Sequence, residues 1–116
     1  MDAIKIVKDV LTDALSVRVS TEIPMERPDR LVAVSLSGDR STPYLLRPRI
    51  MLTCWETSDM AAHGLALSAI EALQDASADH PYLSAVALET MSREEWTRNG
   101  AARYTALLDL TINVDD

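Results

Sequence analysis

Two short segments concentrate the side chains best able to grip an anion. In "RPDR" Arg27 and Arg30 flank a Pro-Asp pair, and in "RPR" Arg47 and Arg49 flank Pro48; Arg40 lies between the two segments. A guanidinium is planar, permanently charged and forked, so it pairs bidentately with a carboxylate or phosphate. Each arginine pair stands beside a proline-stiffened backbone. Three kinds of partner suit such forks: the chain's own acids, the acids of a second copy, or a small anion. Residue types alone leave all three open.

Other residues with chemical potential lack the company they need. His63 and His80 have no Cys or second His at metal-motif spacing, and Asp59, four residues before His63, completes at most two ligands. Ser58 has no nucleophile-elbow context. Gly38, Gly64 and Gly100 are isolated, which argues against a phosphate-cradling loop. Glu94 and Glu95 are adjacent, so they do not face each other across a substrate, and a solvated loop accounts for them. Cys54 is the single cysteine, which rules out an internal disulfide and leaves a zinc site without partners; a small core residue is expected. Trp55 and Trp96 are the only tryptophans and are read as core residues or interface anchors. The expectation is a non-enzyme with no cofactor and no metal.

These residues sit in a chain of 116 residues, 47% hydrophobic and 25% charged, for which one domain spanning 1–116 and a modest core are expected. A net charge of −7 argues against a duplex DNA binder, which needs a basic face. The charge is uneven. Five of the eleven basic residues are Arg27, Arg30, Arg40, Arg47 and Arg49, whereas Glu56 to Glu95 holds eight acids against one arginine. Such asymmetry fits a neighbouring copy, and it equally fits a solvated face. The opening "MDAIKIVKDV" is charged throughout and unlike a secretory signal, and no uncharged run is long enough to span a membrane. A cytosolic origin is expected.

The elements that must position the arginines follow from periodicity. Ile4, Val7, Leu11 and Ala14 form one stripe, predicting a helix over 2–15. Alternation predicts a strand over 16–23, and two prolines in "PMERPD" predict a loop over 24–29. A second strand is expected over 30–37, a turn over 37–43, and a third strand over 44–56, with Pro48 marking an edge or a bulge near its start. Ile50, Leu52 and Cys54 share one parity of that strand; Arg47, Arg49, Met51, Thr53 and Trp55 share the other. A long helix over 57–77, capped by Thr57 or Ser58, carries a stripe of alanine and leucine. A strand near 83–91 follows, then a polar loop over 92–102, then the cleanest alternation in the chain, Tyr104 to Val114.

This order resembles the tail terminator (tail completion) proteins of long-tailed bacteriophages, of the actinobacterial phage and prophage type. The stretches that carry the resemblance are "IVKDVLTDAL", "VSTEIPMERPDRLVAVSLSGD", "RPRIMLTCWETSDMAAHGLALSAIEAL" and "RYTALLDLTINV". They present a Pro-x-x-Arg-Pro segment leading into a valine-rich strand, then a Trp-bearing strand running directly into an alanine-rich helix.

The resemblance implies an α+β fold: a twisted, mainly antiparallel sheet of about five strands with two helices on one face, in the order α-β-β-β-α-β-β. It implies a structural virion protein at the head-proximal end of the tail, formed in the host cytoplasm. Such a protein caps the tail tube, ends its polymerisation and joins it to the head connector. The implied partners are further copies of itself in a hexameric ring, the tail tube protein and the head–tail connector protein; DNA only passes through the lumen. A head–tail connector or stopper, or a small anion-binding domain using Arg27, Arg30, Arg47 and Arg49, are the alternatives. Under the ring reading Arg27, Arg30, Arg40, Arg47, Arg49, Trp55 and Trp96 are expected at subunit or tube contacts.

Overall fold

The computed structural model describes residues 3–22, 30–43, 45–93 and 102–113. Helix α1 covers Ala3–Ala14, and its apolar stripe buries Val7 and Leu11 completely. Its outer side carries a Lys5–Asp9 ion pair at the i, i+4 spacing that helices favour. Strand β1, Arg18–Ser20, is shorter than the alternation over 16–23 predicts. Ser20 explains the early stop. Its hydroxyl donates to the Glu22 carbonyl at 2.6 Å and accepts from the Glu22 amide at 3.1 Å, a local turn that competes with the strand ladder.

Strands β2, Leu31–Asp39, and β3, Pro48–Glu56, form an antiparallel hairpin. Helix α2, Asp59–Ala76, leads to β4, Leu83–Arg93, and β5, Ala102–Ile112, closes the order α-β-β-β-α-β-β. The sheet runs β1-β2-β3-β5-β4 and is antiparallel throughout except for the β1–β2 pair. The fold is therefore the expected α+β arrangement. The loop predicted over 24–29 and most of the polar loop over 92–102, with its Asn99-Gly100 turn signal, lie outside the described residues.

Strand pleating divides the sheet into two faces. Val32, Val34, Ile50, Leu52, Cys54, Ala106, Leu108, Leu110 and Ile112 point to one side and pack with Val7, Leu11 and Leu73 of the helices. Burying each leucine or isoleucine here contributes about 1.5–3 kcal/mol. Ala62, Ala66 and Ala69 are fully buried, so α2 lies close against the strands. Ser58 caps α2, its Oγ accepting from the Ala61 amide at 3.2 Å. At the far end the Ser77 amide returns to the Leu73 carbonyl at 3.1 Å. His80 Nδ1 then accepts from the Tyr82 and Leu83 amides and turns the chain into β4.

Other features differ from the sequence reading as well: β3 begins at Pro48 and not at 44, and β4 runs on to Arg93. β2 continues through Gly38 and Asp39, because a bulge between Leu36 and Gly38 lets the ladder resume. Pro48 begins a central strand, lying between β2 and β5, rather than an edge. It sits at the first position, opposite Asp39, where its missing donor costs least, and the irregularity falls on the facing strand.

Candidate functional site

The helix-free face of the sheet carries the arginine chemistry. Arg49 on β3 stands directly opposite Asp109 on β5. Its Nε donates to Asp109 Oδ1 at 2.9 Å, and its Nη2 lies 3.3 Å from Glu89 Oε2. Arg40 Nη2 donates to the other Asp109 oxygen at 2.8 Å. One carboxylate thus holds two guanidiniums from two different parts of the chain. The hydrogen bond from Arg49, followed by those with Glu89 and Arg40, lowers Asp109 to a pKa of about 2 against the opposing effect of burial. The same contact, with Glu89 beside it, raises Arg49.

Arg40 and Arg47 belong to a braced turn. The Arg40 amide donates to the Arg47 carbonyl at 3.0 Å, and the Thr42 amide to the Leu45 carbonyl at 2.8 Å. Inside the turn the Asp39 carboxylate accepts from both the hydroxyl and the amide of Ser41, which lowers its pKa. Ser41 Oγ in turn accepts from the Arg47 amide at 2.8 Å. The Arg47 side chain is exposed and forms no ion pair with another described residue.

Arg30 lies at the other end of the hairpin. Its Nε donates to Glu56 Oε2 at 2.6 Å, and Glu56 is buried although Arg30 is half-exposed. Glu56 Oε1 also accepts from the Thr57 amide. This pair floors a groove of about 610 Å³ between the α1–β1 connection and α2. Ala14 and Val17 form one wall, and Gly64, Ser68, Glu71 and Asp75 of α2 form the other.

Trp55 is buried, but away from the helices, in a small cluster with Leu31 and Ala33. The Arg103 guanidinium lies 5.8 Å from its ring centroid, within cation–π range. Cys54, on the opposite parity, is fully buried, and burial pushes its thiol up to about 12. Asp59 pairs with Arg93 at 2.6 Å, whereas His63 stacks on Tyr104 with ring centroids 5.0 Å apart. Among the described residues no group of three metal-ligating side chains converges, and no helix is long and apolar enough to cross a membrane.

The structure thus brings Arg40 and Arg49 together and sets Arg30 and Trp55 at the opposite end of the hairpin. Arg27 and Trp96 lie outside the described residues, as do Glu94 and Glu95. Of the three partners left open for the arginines, the chain's own acids occupy Arg30, Arg40 and Arg49. Sequence reasoning missed Asp109 and Glu56 as those partners. Both left a signal. Asp109 is the only acid inside the long closing alternation, and Glu56 shares the core parity of Ile50, Leu52 and Cys54.

No protein-family model matches the chain, and no curated protein does. Among solved structures, the fold is similar to that of a chain in the virion of a native gene transfer agent particle. The TM-score is 0.61 at 11% sequence identity, over 97% of this chain and 87% of the other. At that identity the likeness is one of fold.

Proposed function

We propose that this protein is a structural component of a phage-type virion, a tail terminator that closes into a hexameric ring on the end of the tail tube. The tail tube protein meets one side of the ring and the head–tail connector protein the other, and DNA passes through the lumen. The observation that carries this reading is the shared fold, over nearly the whole chain, with a polypeptide of an assembled gene transfer agent virion. The element order that resembles the terminators supports it. A ring needs two unlike surfaces on each subunit. The braced turn of Arg40 and Arg47 and the groove floored by Arg30 and Glu56 are two unlike surfaces at opposite ends of one hairpin. The anion-binding alternative loses ground because Arg30, Arg40 and Arg49 already carry carboxylates of the same chain.

Polymerising the cognate tail tube protein with and without this chain tests the proposal. The expected result is shortened tubes with a disc of extra density at one end. Tubes of unchanged length with bare ends would count against it.

A further inference from the structure

We infer that the groove between α2 and the α1–β1 connection receives the Arg40/Arg47 turn of a second copy of this chain, with Arg47 pairing to Glu71 and Asp75. The inference rests on the ring reading and names the surfaces that close it.

Placement is the first argument. The turn joins the end of β2 to the start of β3, whereas Arg30 and Glu56 in the groove precede β2 and end β3. Nine residues of strand separate them, about 30 Å at strand rise. The long axis of the molecule is 47 Å. Features at opposite ends of a strand pair cannot meet within one chain, but they meet between copies stacked head to tail. That geometry repeats without using up either surface.

Charge is the second argument. Helix α2 has three acids, Asp59, Glu71 and Asp75, and no lysine or arginine. Asp59 is spent on Arg93, which leaves Glu71 and Asp75, one helical turn apart and exposed on the groove wall. Arg30 is the basic residue among the groove's lining, and its Nε is committed to Glu56. The turn offers the complement, an exposed Arg47 without an intrachain ion pair among the described residues. Two copies of a chain with net charge −7 repel at long range, so a stable contact needs a local match of this kind.

Shape is the third. Gly64 has nothing within 4 Å of where a Cβ would stand, and Ala14, Ala61 and Ser68, which also line the groove, are small. A groove of 610 Å³ admits several side chains. The turn is held beforehand by the Asp39–Ser41–Arg47 hydrogen bonds, so little ordering remains to be done on docking.

Arg47→Glu and a Glu71→Lys, Asp75→Lys double variant test this by sedimentation velocity, each measured alone and on tail tubes. Arg18→Glu, an exposed cation outside both surfaces, serves as the control, and circular dichroism checks folding. The expected result is that each reversal weakens assembly by about tenfold or more, that Arg18→Glu does not, and that combining the reversals in one chain restores it. Mixing the two reversed chains should likewise restore assembly with the two chains alternating, since the intact turn meets the intact groove at one junction and the reversed turn meets the reversed groove at the next. Wild-type assembly that survives both reversals, or that Arg18→Glu impairs equally, overturns the interface and leaves the ring reading standing. A wild-type chain that never associates, alone or on tubes, overturns both.

Discussion

Arg49 and Asp109 face each other across the β3–β5 ladder, and a 2.9 Å hydrogen bond joins them on the side of the sheet that the helices leave bare. The contact ties the two central strands together at the base of the Arg40/Arg47 turn. Through its second oxygen Asp109 also holds Arg40, so one carboxylate sets the foot of the turn against β5.

Asp109→Asn should therefore loosen the turn and lower stability by about 1–2 kcal/mol, the range for losing charge-assisted hydrogen bonds at a partly exposed site. Urea unfolding of the two proteins at neutral pH measures it. A change in midpoint without a change in slope would mark a loss of stability alone.

The same carboxylate predicts an acid limb. Asp109 titrates at about 2 in the folded chain, below an unfolded carboxylate near 3.9. A depressed pKa contributes stability that is complete above the unfolded value and is lost as pH falls from about 4 through about 2. Stability measured across that window should fall less steeply in Asp109→Asn than in the parent. Parallel curves would contradict the assignment.

Cys54 should be inert in the folded protein. It is fully buried with its thiol pushed up to about 12, so almost no thiolate is present at neutral pH. Labelling with a thiol-reactive dye should proceed only in denaturant, at a rate that tracks unfolding. Rapid labelling of the native chain would place Cys54 elsewhere.

How far the sequence foretold this arrangement depends on which physical signal each feature leaves. The core parity of β3 and β5 was legible because alternation reports directly on which face is buried, and Ile50, Leu52, Leu108 and Leu110 all lie where it put them. The Ser58 cap was legible because capping is a local interaction. Strand partners were not, since nothing local specifies that Arg49 meets Asp109 sixty residues on, or that Arg30 meets Glu56. The central position of β3 escaped for the same reason. Pro48 reads locally as an edge signal, whereas a strand's first residue tolerates it anywhere in the sheet. Strand β1 was legible from the alternation over 16–23, but its stop at Ser20 and its parallel pairing with β2 were not, since a partner strand leaves no local signal.

Loss of the Ser58 cap should shorten α2 and so alter one wall of the groove. Ser58→Ala is expected to cost about 1 kcal/mol, visible as a lower thermal midpoint, with Thr57 unable to substitute because the capping geometry is set one residue later. Ser58→Asp, which retains an acceptor and suits the helix dipole, should recover most of the loss. Equal destabilisation by both would show that the cap is not the cause.

The central claim, a ring-forming virion protein, is tested most directly by imaging the purified chain at the ends of cognate tail tubes and measuring its assembled mass. The account predicts a ring of about 77 kDa, six times 12.8 kDa, seated at one end of each tube. A 12.8 kDa monomer in solution, with no density at either tube end, would contradict it.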